Sequence, residues 1–310
     1  MTKYPYDIKI SIVVPVYNSE IILPELLAQI SNALSGQLYE VILVNDGSAD
    51  NSWDVIISLS KKYDKVIGIC LARNFGQDNA IMAGLNNTRG EYIVIMDDDL
   101  QHSPYDISKL VAKCESGYDV CYAKYYGKKQ QAWWKNVGSY INAKQAEFLI
   151  GKPSEIYLSP FKVIRRVIIN SIINYQGSYP YVDGLIFSAT RSIAQVEVEH
   201  NKRFASKSNY TLKKSISVFL RHTTGFSIVP LRIASLFGIL VAFIGLILSL
   251  YYAAMYFRGN IVEGWTTLVL LQLIMGGAIL MALGIIGEYI GRIYLVANKR
   301  PQFVVRKILL

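Results

Sequence analysis

The sequence predicts a mainly parallel α/β sheet with helices on both faces, followed by a two-helix transmembrane hairpin. In residues 1 to about 125, short β-branched runs alternate with amphipathic segments of helix length. This alternation is typical of βαβ units. Nearer the C-terminus, two charge-free apolar segments each exceed the roughly 20 residues that span a bilayer.

The predicted strands are five short runs in the first part of the chain. They are Ile10–Val16, Glu40–Val44, Val66–Leu71, Glu91–Met96 and Val120–Ala123. Helix-length segments separate them, and Pro24 and Pro104 stand where a first helical turn would begin. The first ten residues contain no long apolar run that ends in a cleavage site, so we predict no signal peptide and a cytoplasmic N-terminal part.

The hairpin is predicted from Ile233–Phe257 and Trp265–Gly287, joined by the short link RGNIVEG. Basic residues flank the pair on both outer sides, at Arg221, Arg232, Arg292, Lys299, Arg300, Arg306 and Lys307. The positive-inside rule therefore places both chain ends in the cytoplasm. Two buried helices of a large soluble core are the disfavoured alternative.

Composition limits the classes of function. The net charge of +9 fits nucleic acid, an anionic membrane surface or an anionic substrate as partner. A nucleic-acid partner is not expected, because basic residues here precede a membrane hairpin. The three cysteines, an odd number without zinc spacing, are expected to be free thiols.

In a parallel sheet, ligands bind beyond the carboxyl ends of the strands, so the segments after each strand matter most. The first is PVYNSE, the second NDGSADNS, the third ARNFGQDNA and the fourth DDDLQH. None is a glycine-rich dinucleotide turn or a P-loop. The dehydrogenase and NTPase classes are therefore disfavoured, and polar groups are expected to converge on one sheet edge.

Three consecutive aspartates end the fourth predicted strand. Side chains alternate along a strand, so Asp97 and Asp99 are expected on one side and Asp98 on the other. Two neighbouring carboxylates raise each other's pKa unless a cation lies between them. Hard oxygen ligands suit Mg²⁺ or Mn²⁺, with Gln101 as a third oxygen. An acidic loop that caps the following helix remains the alternative.

The ordered set SIVVPVYNSE, VILVNDGSADNS, LARNFGQDNA and IVIMDDDLQH resembles glycosyltransferase family 2, which has the Rossmann-like GT-A fold. The resemblance is strongest to polyisoprenyl-phosphate glycosyltransferases, the dolichol-phosphate mannose synthase group and its bacterial relatives with a C-terminal membrane hairpin. It continues through VEHNKRFASKSNYTLKKSISVFL, FSIVPLRIASLFG and GEYIGRIY. YLSPFKVIRR stands where many relatives carry an Asp-Phe-Arg motif, and the aspartate is absent here.

The resemblance implies roles for individual residues. The nucleotide-binding candidates are Pro15, Tyr17, Asn18, Glu20, Asp46, Ser48, Arg73 and Asp98, with Asp46 contacting the base. Asp97, Asp99 and Gln101 resemble an Asp-x-Asp-x-Gln metal site for Mg²⁺ or Mn²⁺, and the two aspartates are the catalytic candidates. The acceptor-phosphate candidates are Lys124, Lys135, Ser139, Arg203 and Lys207, with lysine replacing the family's arginine at the first two.

The implied domains are a cytoplasmic GT-A domain over 1–225 and a membrane domain over 226–310. The first has a nucleotide and metal half to about 125 and an acceptor half over about 126–225. The second has transmembrane helices over about 231–257 and 265–290 and a cytoplasmic tail. The sheet is expected to be complete before the hairpin, and the protein to lie in the cytoplasmic (inner) membrane.

The implied reaction moves a sugar from a nucleotide diphosphate sugar to undecaprenyl phosphate or another polyprenyl phosphate, for cell-surface glycan or lipopolysaccharide modification. UDP is expected as the nucleotide by family frequency. A phosphate monoester is largely ionised at pH 7, so no strong base is required, and direct displacement inverts the anomeric carbon. A non-catalytic membrane scaffold, a different lipid or glycan acceptor, and a homo-oligomeric state stay open.

Overall fold

The computed structural model describes residues 8–125, 153, 155–177, 179–198, 229–258, 264–298 and 301–309. Within these residues the strands are β1 (Ile10–Val16), β2 (Tyr39–Asn45), β3 (Val66–Leu71), β4 (Tyr92–Ile95), β5 (Val120–Tyr125), β6 (Lys162–Arg165), β7 (Ile193–Val198) and β8 (Val305–Leu309). The helices are α1 (Leu23–Ala33), α2 (Ser52–Lys62), α3 (Gln77–Leu85), α4 (Ile107–Glu115), α5 (Arg166–Ile172), α6 (Val182–Ala189), α7 (Val229–Phe257) and α8 (Trp265–Ala297). A single 3₁₀ turn, Pro104–Asp106, precedes α4.

The eight strands form one sheet in the order β7-β5-β6-β4-β1-β2-β3-β8. β1 is parallel to β2 and β4, β2 is parallel to β3, and β5 is parallel to β7. β6 is antiparallel to β4 and β5, and β8 is antiparallel to β3. The mainly parallel sheet predicted from the sequence is confirmed.

The central strands are buried on both faces, as expected for a sheet covered by helices on each side. Every residue of β1, β2 and β3 is buried. One face packs with apolar side chains of α1, α2 and α4. On the other face α3 approaches closely, because Gly84 leaves no side chain between the helix and Val13 and Val44.

The predicted strand runs agree with the structure to within two residues at each end, and Pro24 lies in the first turn of α1. The principal difference concerns the C-terminal tail. We expected the sheet to be complete before the apolar helices, but Val305–Leu309 forms its edge strand β8. Pairing with β3 satisfies the backbone groups of an edge that would otherwise be open.

The described residues fall into two compact units. The first contains the sheet, helices α1 to α6 and strand β8. The second contains α7 and α8, whose bounds include both predicted transmembrane segments, with α8 continuing to Ala297.

Both helices of the second unit contain long apolar stretches, and these differ in length. Among the described residues, Ile274–Ala297 is long and apolar enough to cross a membrane, with a mean hydropathy of 1.7, and Ala234–Leu248 is a shorter apolar stretch. Large apolar side chains such as Phe243 and Leu280 are exposed. These helices are compatible with a hairpin.

Candidate active site

The carboxyl ends of β1, β2, β3 and β4 lie at one sheet edge, where polar residues gather. At the end of β2, the Asp46 carboxylate is 3% exposed. Its Oδ1 accepts a hydrogen bond from the Phe75 amide at 2.7 Å, and its Oδ2 accepts one from the Gly76 amide at 2.9 Å. Burial raises the pKa of Asp46, while these amides and the Arg73 guanidinium oppose the rise. Asp46 therefore joins the turn after β2 to the segment before α3.

Gly47 allows this close approach. Its φ of +65° is in the left-handed region, and a Cβ there would lie 2.5 Å from the Asn74 nitrogen. On the neighbouring segment, the Arg73 guanidinium lies 4.2 Å from the centroid of the Phe75 ring. Arg73, a nucleotide-binding candidate, is thus held against the same turn.

The turn after β1 is fastened to the turn after β2 by several of the predicted nucleotide-binding residues. Asn18 donates its backbone N–H to Ser48 Oγ at 3.1 Å and accepts a hydrogen bond from the Ala49 amide at 2.8 Å. Glu20 Oε2 accepts one from the Asn51 amide at 2.9 Å. In the structure, Asn18, Glu20 and Ser48 therefore hold the two turns together.

Pro15 and Tyr17 are placed differently. Pro15 is buried inside β1, opposite Val44 of β2. The Tyr17 side chain is 52% exposed, immediately after the strand. An exposed aromatic ring at the carboxyl edge of the sheet offers a face on which a base can stack.

The aspartate loop does not continue β4, which ends at Ile95. Strand alternation therefore does not orient the carboxylates; their contacts do. Asp98 Oδ2 accepts a 2.5 Å hydrogen bond from the Ser19 hydroxyl and a 3.4 Å one from the Tyr17 amide. Asp97 Oδ1 instead accepts a 2.7 Å hydrogen bond from Gln77 Nε2 of α3. Asp97 and Asp98 consequently bind different elements.

Asp99 and Leu100 shape the rest of the loop. Asp99 is 8% exposed, and its Oδ1 accepts the Gln101 amide at 3.1 Å. Leu100 has a φ of +58°, uncommon for a branched residue, while its side chain is anchored in the core. A buried side chain thus holds the backbone in the turn that separates Asp99 from Gln101.

Tyr125, at the end of β5, lies near two of the three aspartates. Its hydroxyl is 2.9 Å from Ser159 Oγ. Burial raises the pKa of Tyr125, the Ser159 hydrogen bond opposes the rise, and the charges of Tyr157, Asp97 and Asp99 add to it. Tyr125 is therefore within electrostatic range of Asp97 and Asp99.

This loop provides a donor set that fits a divalent cation. Asp97, Asp99 and Gln101 offer carboxylate and amide oxygens, the ligands that Mg²⁺ and Mn²⁺ prefer. The described part of the chain has no group of three His, Cys, Asp or Glu side chains placed for a metal. Two carboxylates are sufficient for Mg²⁺, since this ion usually keeps waters and substrate phosphates in its remaining positions.

A buried ionic cluster lies near the aspartate loop, and the sequence did not reveal it. The Lys162 ammonium, 4% exposed, forms an ion pair with Asp183, which also accepts a 2.8 Å hydrogen bond from the Tyr122 hydroxyl. Asp78, beside Gln77 in α3, accepts a 3.4 Å hydrogen bond from the Val182 amide. Burial raises the pKa of Asp78 to about 6; Asp183 adds to the rise and Lys162 opposes it.

Weak signals for this cluster and for Gln77 are present in the sequence. Lys162 belongs to YLSPFKVIRR, the segment in which the resemblance implies an Asp-Phe-Arg motif. Gln77 and Asp78 belong to the LARNFGQDNA segment, but nothing local indicated that they would contact Asp97 and Val182. These partners are distant in sequence, so only the fold identifies them.

The histidine of the aspartate segment is packed between aromatic rings. His102, 4% exposed, has its ring centroid 5.4 Å from that of Phe161 and 5.9 Å from that of Tyr125, with nearly parallel planes. Packing therefore accounts for this residue. His200 and His222 lie outside the described residues.

Of the acceptor-phosphate candidates, Lys124 is described. It is exposed near the end of β5, with its Nζ 4.0 Å from Glu197 Oε1. Lys135, Ser139, Arg203 and Lys207 lie outside the described residues.

Comparisons with known proteins agree with this architecture. A family model described as Glycosyl transferase family 2 matches residues 11–173. The undecaprenyl-phosphate 4-deoxy-4-formamido-L-arabinose transferase of Enterobacter sp. (strain 638) is 32% identical, over 99% of this chain and 96% of that protein. The uncharacterized glycosyltransferase YkcC of Bacillus subtilis (strain 168) is 33% identical, over 97% of this chain and 94% of its own length.

The fold is also similar to that of a solved structure. This is glucosyl-3-phosphoglycerate synthase from Mycobacterium tuberculosis, in complex with Mn²⁺, UDP and phosphoglyceric acid. The TM-score is 0.54 at 19% identity, over 70% of this chain and 76% of that one.

Proposed function

Because the chain belongs to glycosyltransferase family 2, we propose that it transfers a sugar from a nucleotide diphosphate sugar to a polyprenyl phosphate, with inversion at the anomeric carbon. UDP is the proposed nucleotide and undecaprenyl phosphate the proposed acceptor. The observation that carries the proposal is that the aspartates after β4 have different hydrogen-bond partners. Asp98 accepts a hydrogen bond from Ser19 in the turn after β1, whereas Asp97 accepts one from Gln77 of α3.

In this proposal, the donor's nucleotide lies along the carboxyl ends of β1, β2 and β3. The exposed Tyr17 ring stacks on the base of the nucleotide. Asp46 accepts hydrogen bonds from that base. Asp46 already accepts one backbone amide on each oxygen, and a carboxylate oxygen has a second acceptor position. The Arg73 guanidinium, exposed beside the same turn, attracts the diphosphate.

Asp97, Asp99 and Gln101 would hold Mg²⁺ or Mn²⁺. A bound divalent cation neutralises the charge that the leaving nucleoside diphosphate gains. Gln77 fixes the orientation of Asp97 through its amide, and the Asp98 contacts fix the loop. The name of the solved structure of similar fold includes Mn²⁺ and UDP, which supports the same choice here.

The acceptor supplies its own nucleophile in this proposal. The second pKa of a phosphate monoester is near 6, so the head group is largely dianionic at pH 7 and needs no protein base. Lys124, Lys135, Ser139, Arg203 and Lys207 are proposed to hold it. Polyprenyl phosphate as acceptor is supported by the name of the Enterobacter relative.

The two apolar helices are proposed to cross the cytoplasmic membrane as a hairpin, with the sheet on the cytoplasmic side. Strand β8 follows α8 yet belongs to the same sheet as β1, so the chain must return to the side it left. If α8 crosses a membrane, the chain has to cross it a second time, and α7 is the second apolar helix that the described residues contain before β8. The flanking basic residues favour the cytoplasmic side.

The proposal is tested with the purified full chain in nanodiscs and a panel of UDP-linked, GDP-linked and dTDP-linked sugars. The panel includes 4-deoxy-4-formamido-L-arabinose, the sugar named for the Enterobacter relative. Undecaprenyl phosphate and 3-phosphoglycerate are offered as competing acceptors with Mn²⁺ or Mg²⁺. We expect a glycosylated lipid and one nucleoside diphosphate released per transfer.

Glycosylation of 3-phosphoglycerate alone would show that the acceptor is not a polyprenyl phosphate. Release of nucleotide without any glycosylated product would contradict the proposed transfer. Asp97→Asn is the negative control, and Gln29→Ala, on the exposed face of α1, is the matched neutral control.

A further inference from the structure

The C-terminal segment after the apolar helices returns to the sheet beside the proposed donor site. Strand β8 pairs antiparallel with β3, from Gly68 opposite Leu309 to Leu71 opposite Val305. Residue Ala72 immediately follows β3 and begins the segment Ala72–Asp78, here called the donor loop. The last strand in the chain is thus the neighbour of a loop that the first part of the chain provides.

The register of this strand pair shifts at the end nearest the donor loop. Cys70 lies opposite Lys307, but Leu71 lies opposite Val305. Arg306 is therefore an extra residue in β8, a bulge between the two pairs. Bulges redirect a side chain away from the regular alternation and are frequent beside functional sites.

The bulge directs the Arg306 side chain to the donor loop. Its Nη2 donates a 2.9 Å hydrogen bond to the carbonyl oxygen of Ala72. The Ala72 amide donates a 2.8 Å hydrogen bond to the carbonyl oxygen of Val304. Both backbone groups of Ala72 are thus bound by the C-terminal segment.

The same segment has a second attachment. Gln302 Nε2 donates a 2.9 Å hydrogen bond to the carbonyl oxygen of Gly177 and a 3.4 Å one to that of Tyr175. The C-terminal segment is therefore anchored on one side by residues after α5 before it binds Ala72. A segment that is fixed at both points can hold the donor loop at a defined position.

The donor loop carries several of the contacts that form the donor site. The Phe75 and Gly76 amides bind Asp46, and the Gln77 side chain binds Asp97. Arg73, the residue after Ala72, is the proposed diphosphate ligand. A displacement at Ala72 would consequently be transmitted to Asp46 and to Asp97.

We propose that Arg306 is a positioning residue for the donor site, acting through the donor loop. This inference rests on the proposed function, because it names the loop's ligand as a nucleoside diphosphate. It implies that the site is completed by a strand synthesised after both apolar helices. The donor site then reaches its full affinity only in a chain whose C-terminal end has returned to the sheet.

The test compares Arg306→Ala and Arg306→Lys with Lys307→Ala in the full chain in nanodiscs. Lys307 is the matched control, being an exposed cation on the same strand. For Arg306→Ala we expect the Kd for UDP with Mn²⁺, measured by calorimetry, to rise about tenfold, as for loss of a charged hydrogen bond. Arg306→Lys should restore part of the affinity, and Lys307→Ala should bind as the unmodified chain does.

Two further measurements separate positioning from a general loss of structure. The KM for donor should rise while the KM for undecaprenyl phosphate stays unchanged, and the Tm should fall by less than about 4 °C. Hydrogen exchange of the amides in the donor loop should accelerate in Arg306→Ala without any nucleotide present. This exchange measurement tests the role of Arg306 even if the unmodified chain fails to bind UDP. Failure to bind UDP would contradict only the proposed function.

The inference is overturned if donor-loop exchange in Arg306→Ala equals that of the unmodified chain. It is also overturned if Lys307→Ala produces the same changes, because the effect would then belong to strand β8 as a whole. Equal increases of both KM values with a large fall in Tm would likewise assign Arg306 a purely structural role.

Discussion

The Ser19 hydroxyl donates a 2.5 Å hydrogen bond to Asp98 Oδ2, across 79 residues of sequence. This contact binds the turn after β1 to the loop after β4. Because Asp98 Oδ2 is taken up by this contact, we assign the metal to Asp97 and Asp99. Asp97 contacts Gln77 of α3 instead. Asp98 and Asp97 are thus bound to different elements of the fold.

This division predicts unequal effects of neutralising the three aspartates. Asp97→Asn and Asp99→Asn should each lower kcat/KM more than about a hundredfold, because the proposed cation loses a charged ligand. Asp98→Asn should cost less, since an amide oxygen can still accept the Ser19 hydrogen bond. Turnover is measured across a range of Mn²⁺ concentrations. An equal loss at Asp98 would contradict the assignment, and Ser19→Ala serves as the matched test of the Asp98 contact alone.

Gln77 is predicted to act on the metal site through Asp97. Gln77→Ala should weaken the apparent affinity for Mn²⁺ about 10- to 100-fold, the range typical of residues that orient a ligand. The Tm should change little, because Gln77 is exposed. Gln29→Ala removes a comparable exposed glutamine contact, to Glu25, and is the control. Unchanged Mn²⁺ dependence would show that the Gln77 hydrogen bond does not orient Asp97 in the working enzyme.

Arg203 is predicted to act on the acceptor side. Arg203→Ala should raise the KM for undecaprenyl phosphate about tenfold or more, since an arginine can bind a phosphate through two hydrogen bonds and alanine cannot. The Kd for UDP, measured by calorimetry, should not change. Lys61→Ala, at an exposed position of α2, removes one positive charge elsewhere and controls for net charge. A weakened Kd for UDP with an unaltered acceptor KM would reverse the assignment.

Asp78 is predicted to make stability depend on pH. Its pKa is raised from 3.8 to about 6, mainly by burial. Between these two values the folded chain binds more protons than the unfolded chain, so the free energy of unfolding falls as pH rises from about 4 to 6. The contribution is at most about 2 to 3 kcal/mol. Asp78→Asn should abolish this decline.

The measurement for Asp78 is thermal unfolding of the full chain at several pH values between 4.5 and 8. Asp54→Asn, an exposed carboxylate in the first turn of α2, is the matched control and should leave the pH profile unchanged. A decline of the same size in Asp78→Asn would place the responsible proton on another group.

The membrane hairpin is predicted to expose only its link on the far side. A cysteine at Asn260 should react with an impermeant maleimide added outside intact cells, and a cysteine at Lys307 should react only after lysis. Cys70, Cys114 and Cys121 are replaced in this background, because Cys70 lies opposite Lys307 in the β3–β8 pair and is close enough to form a disulfide with a cysteine at that position. Labelling at Lys307 from outside would overturn the hairpin and the cytoplasmic position of the site.

The sequence by itself determined the local features of this protein. Alternation of β-branched runs with amphipathic segments predicted the strands β1 to β5, because strands buried on both faces are continuous apolar runs and the helices between them bury one face each. Apolar runs without charges predicted α7 and α8. The order of four polar segments indicated the family and directed attention to Asp97 and Asp99. Each of these signals lies within a short window.

The tertiary structure decided which distant residues meet. VRKIL has two consecutive charges, unlike the apolar runs that predicted the other strands, and it forms β8 because the edge of β3 was available. Likewise Ser19 meets Asp98, Gln77 meets Asp97 and Lys162 meets Asp183 only when the sheet is assembled. Local periodicity records which face of an element is buried, but not the partner on that face, which depends on the packing of the whole sheet.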